Sequence, residues 1–95
     1  MKFSPSAVIG SSRQGTIQNI TEQEIESIFG FPANVDDDPY KVVHSWAVDV
    51  DDAHTIHVWD YKGSHLDGQF STHGNPAVLK QIFGDRYVGD RSWGW

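Results

Sequence analysis

Two runs of alternating residues, separated by three, constrain this chain more than anything else in it. In the first, Tyr40, Val42, His44, Trp46, Val48 and Val50 occupy one side, and Lys41, Val43, Ser45, Ala47 and Asp49 the other. Successive side chains of a strand point to opposite faces, so this two-residue period reads as a half-buried β-strand. Asp51-Asp52-Ala53 supplies a turn, and His54 to Lys62 the returning strand of a β-hairpin. Register decides which side chains share a face, because a slip of one residue reverses every assignment. A three-residue connection pairs Val48 with Ile56, Trp46 with Val58 and His44 with Asp60. The opposite face then carries His57, Trp59 and Tyr61 beside Ala47, Ser45 and Val43. This register is preferred because it gives Ile56 and Val58 an apolar face to share. A two-residue turn would instead set Trp59 and Tyr61 beside Trp46, and no Gly in the connection fixes the turn type.

Helix signals flank the hairpin. Thr21 with Glu24 three residues later fits a capping box, in which each side chain satisfies an orphan backbone donor. Ile20 and Ile25 suit a hydrophobic staple; Ile25, Ile28 and Phe29 share a face, and Gly30 supplies the stop. The spacing predicts a helix over about 22–29, closed off by Pro32. Asn75 with Pro76 behind it opens a second helix over about 76–83, with Val78, Leu79, Ile82 and Phe83 on its apolar side and Gly84 at its end. A short strand is expected at Ser6–Ile9 and another at Gln69–Thr72. The fold class is therefore α+β, an antiparallel sheet around a central β-hairpin (about 40–50 and 54–62) with two helices. One domain is expected over residues 1–95, with 1–15 and 88–95 flexible and the tail either a docked strand or an exposed aromatic arm.

Charge narrows the function. The formal net charge is −6, against the clustered Lys/Arg surface that a nucleic-acid backbone demands. There is no Cys, which excludes disulfides and thiolate chemistry. No apolar run approaches the about 20 residues that span a bilayer, and none at the start suggests a signal peptide, so a cytoplasmic protein is expected. Four Trp, three Tyr and five Phe are more aromatic surface than 95 residues readily bury. Some therefore belong at an interface, where Trp and Tyr dominate binding energy.

Candidate chemistry is sparse. His44 and Asp60 face each other in the preferred register, as a general base with its orienting acid, a ligand anchor, or an ordinary cross-strand polar pair worth about 0.2–1 kcal/mol. The Thr72-His73-Gly74-Asn75-Pro76 loop precedes a helix, whose N-terminus favours anions. Lys62, His73, Gly74 and Asn75 are its candidate ligand groups, for a phosphate or a nucleotide. His54 and His57 point to opposite faces, and no tight spacing motif calls for a metal. No Ser or Thr sits in a nucleophile elbow, and Gly10 to Gly15 lacks the Gly-Lys-Ser/Thr ending of a phosphate-binding loop. Neither an enzyme nor a cofactor is expected.

Three short motifs carry a resemblance: a helix ending Phe29-Gly30-Phe31-Pro32, a strand ending Val58-Trp59-Asp60-Tyr61-Lys62, and Phe70-Ser71-Thr72-His73-Gly74 before a helix. Together they resemble a group of small bacteriophage proteins of unknown function, whose second strand ends in an Ile-Tyr-Asp-Trp-Lys-like run followed by a Trp-His-Ile-Gly-Gly-like loop. Phe70-Ser71-Thr72-His73-Gly74 departs from that loop in having His73 directly before Gly rather than before an Ile. The resemblance covers roughly residues 21 to 83. It implies a phage or prophage accessory protein, a class whose small acidic members often bind and disable a host factor, bacterial immune systems included. The leading expectation is thus a non-enzymatic inhibitor of a host bacterial protein. It would bind through Trp46, Trp59 and Tyr61, with an acidic rim at Asp36, Asp37 and Asp38. The alternatives are a small-ligand binder using the loop and a homodimeric structural accessory.

Overall fold

The computed structural model describes residues 1–6, 14–35, 42–61 and 67–89. Along the chain run β1 (Phe3–Pro5), β2 (Gly15–Ile17), α1 (Glu22–Phe29), β3 (Val42–Val50) and β4 (His54–Tyr61). Then come β5 (Phe70–His73), α2 (Pro76–Phe83), a 3-10 turn at Gly84–Arg86 and β6 (Tyr87–Gly89). The strands form one sheet in the order β1-β3-β4-β5-β2-β6, and every described neighbour pair is antiparallel. This is an α+β fold built on an antiparallel sheet.

The hairpin adopts the register that gave Ile56 and Val58 their apolar face. Val48 pairs with Ile56 and Trp46 with Val58 across β3 and β4. The connection manages without Gly because Asp51 and Asp52 both take left-handed backbone, with φ of 54° and 56°. Asp is among the few side chains that tolerate this region. Asp51 also accepts a hydrogen bond from the Lys2 backbone N–H at 2.6 Å, and its own N–H donates to the Lys2 carbonyl, so the turn holds the start of β1.

Both helices form over the expected residues, for the expected reasons. Thr21 Oγ1 accepts from the Glu24 N–H at 3.1 Å, and Gly30 ends α1 in left-handed conformation at φ 87°. Asn75 caps α2 by accepting from the Ala77 N–H at 2.9 Å. Both helices lie on one side of the sheet, over Trp46, Val48, Val50, Ile56, Val58, Phe70, Ile17 and Tyr87. Phe29 is the hub of that packing. Its ring meets Phe3 of β1 at 5.3 Å and Phe83 of α2 at 6.0 Å, both edge-on, the geometry that aromatic quadrupoles favour.

The termini depart from expectation. A strand not expected from the sequence runs at Phe3–Pro5, and of the strand expected at Ser6–Ile9 the residues Ala7 to Ile9 fall outside the described residues. Pro5 is admissible there because β1 is an edge strand. Residues 3–5, 15 and 88–89, expected to be flexible, are instead paired in the sheet. β2 even sits inside it, between β5 and β6. Gly15 is what lets β6 close: a Cβ there would stand 2.9 Å from both the Tyr87 hydroxyl and the Val88 carbonyl oxygen. Tyr87 lies over that gap and seals the end of the core.

Candidate functional site

The hairpin contains one irregularity, and the most organised polar cluster forms around it. Ser45 pairs with Trp59 and Val42 with Tyr61, so three steps along β3 match two along β4. The extra residue is a β-bulge, which sets Val43 and His44 together opposite Asp60 and breaks the expected Val43–Tyr61 pairing. The bulge turns His44 toward two acids. Its backbone N–H donates to Asp60 Oδ1 at 2.6 Å, and its Nδ1 lies 3.4 Å from Asp60 Oδ2, at the outer limit of a hydrogen bond. Its Nε2 makes a close contact with Glu22 Oε2, from the first turn of α1. The ring stacks on Trp46 with centroids 6.3 Å apart.

Asp60 is completely buried. A carboxylate so placed needs hydrogen bonds to offset its lost hydration, and His44 supplies them from backbone and ring. The cluster therefore joins the N-terminus of α1 to the bulged strand pair. His44 and Asp60 meet as the sequence indicated. Glu22, in the first turn of α1, is the third member, and no local pattern in the sequence marks a contact made across the fold.

The other face of the sheet is different in kind. It carries Ser45, Ala47, Asp49, Thr55, His57, Trp59, Ser71 and His73, and no described helix packs on it. Ser45 Oγ and His57 Nε2 are hydrogen-bonded at 2.6 Å, and the His57 ring meets Trp59 at 4.6 Å. A Ser hydroxyl against an imidazole is the pairing of a nucleophile with its base. Here Ser45 is 1% and His57 3% exposed, so neither reaches a substrate. The pair satisfies buried polar atoms. Trp59 and His73 are half-buried, and the strip continues through Asp49 and Thr55 to the exposed turn at Asp51 and Asp52.

The remaining expected residues distribute as follows. Trp46 is only 1% exposed and donates its indole N–H to the Phe31 carbonyl at 3.2 Å. It is a core residue and is withdrawn from the binding surface, on the opposite side of the sheet from Trp59. Tyr61 ends β4, with only its backbone described; Asp36, Asp37, Asp38 and Lys62 lie outside the described residues. In the loop before α2, the Gly74 N–H donates to Gln14 Oε1 at 3.1 Å, and Asn75 is engaged in capping. Gly74 has φ 132°, and a Cβ there would lie 2.8 Å from Ile56 Cγ2. Packing against Ile56 thus accounts for this glycine without a ligand.

Away from both faces, Arg86 binds Glu24 at 2.6 Å beside a shallow groove lined by Gln23, Ser27 and Ile28. The Arg86 hydrogen bond holds the Glu24 carboxyl below its ordinary range. Burial pushes the Tyr87 phenol up, and its hydroxyl, like that of Thr72, has no hydrogen-bond partner among the described residues. Among the described residues no group of three His, Cys, Asp or Glu is arranged to hold a metal ion. No described helix is long and apolar enough to cross a membrane. No protein family, curated protein or solved structure matches this chain.

Proposed function

We propose that this chain is a non-enzymatic, phage-type binding protein that inhibits a host bacterial defence protein through the sheet face that no described helix covers. One observation carries the reading: Trp59 stands half-buried on a face that no described helix covers, among buried small residues such as Ala47 and Ser71, while Trp46, the residue next to Trp59's cross-strand partner Ser45, is taken fully into the core. A large aromatic held in place by its neighbours, here by the His57 ring, supplies contact area at low entropic cost.

The acids at Asp49, Asp51 and Asp52 extend the same strip, and the net charge is −6. Such a surface speeds encounter with a basic patch, and its contribution falls with salt. The phage origin and the host target rest on the resemblance of the hairpin and loop motifs. Asp36 to Asp38 remain candidates for the acidic rim.

The test is a tagged pull-down from bacterial lysate, run in parallel with Trp59→Ala and Asp52→Asn. Asn keeps the left-handed tolerance of residue 52 while removing its charge. The expected result is a stoichiometric partner retained by the wild type and lost with Trp59→Ala, with Asp52→Asn slowing capture and flattening its salt dependence. No stoichiometric partner, or one held equally by both variants, overturns the reading.

A further inference from the structure

We draw no further inference here: the strongest candidate, the Glu22–His44–Asp60 cluster at the β3 bulge, belongs to the site already described, where both ring nitrogens of His44 face carboxylates that tie α1 to the hairpin.

Discussion

Trp46 and Trp59 lie on the same hairpin, on neighbouring strands, and have opposite fates. Trp46 faces the helices, with its ring edge-on to Phe70 at 6.1 Å and its N–H bonded to Phe31. Trp59 faces the other way, toward Ser45, Ser71 and His57, and keeps part of its surface in water. The pleat alone separates them. The difference teaches that aromatic content does not report on binding surface until register is known, because adjacent strand positions serve different faces.

The sharpest way to break the comparison is to truncate each indole. Trp46→Ala should cost about 3–5 kcal/mol in urea unfolding, through the cavity and the stranded Phe31 carbonyl. That is most of what a domain of this size has to lose. Trp59→Ala should cost less, about 1–3 kcal/mol, because its ring keeps part of its surface in water. Equal losses at the two positions would mean that Trp59 belongs to the fold as much as Trp46 does.

Next in size is the buried acid. Asp60→Ala should destabilise by about 3 kcal/mol, since it removes the buried carboxylate that accepts from the His44 backbone N–H and leaves a cavity in its place. A loss under about 1 kcal/mol, the scale of an exposed pair, would mean that the Asp60 carboxylate is solvated and does not hold the bulge.

The hairpin and the two helices were legible because their signals are local. Thr21 and Glu24, or Asn75 and Pro76, declare a helix start within a few residues, and a long alternation cannot hide. β1 and β2 were not legible, and β6 was only one of two alternatives for the tail, since three residues are too short to show a period. Gly15 gives no sign that Tyr87, far along the chain, needs its missing Cβ. The bulge was hidden for a related reason: the residue that β3 inserts is an ordinary member of an unbroken alternation. In the site, His44 and Asp60 followed from register, whereas Glu22 required knowing where α1 docks. Trp46 was misassigned because the aromatic count was read without the face that register had already given it.

Gly74 separates packing from ligand binding in the loop. Gly74→Ala should cost about 1–3 kcal/mol, from positive φ and the collision with Ile56. Thermal unfolding would measure it, and a neutral outcome would show that the loop yields and that Gly74 is not fixed by the core.

The smallest effect belongs to the far end of the helix-covered face. The Tyr87 hydroxyl is buried and has no partner among the described residues, so Tyr87→Phe should fall within about 0.5 kcal/mol of wild type at neutral pH, or above it. Because burial raises the phenol's pKa on folding, its contribution is complete below the ordinary phenol value of about 10 and is lost as pH climbs toward the raised one. Unfolding midpoints followed from pH 8 to 11 should therefore fall more steeply for wild type than for Tyr87→Phe, and parallel curves would place the hydroxyl in water.

The claim that one sheet face folds the chain and the other binds is tested most directly by calorimetric titration of the retained partner with purified wild type and Trp59→Ala. Binding should weaken at least about tenfold, about 1.4 kcal/mol, while Trp59→Ala stays folded at the titration temperature and unfolds well above Trp46→Ala. Undiminished affinity, or a loss that merely tracks a fall in stability, would contradict it.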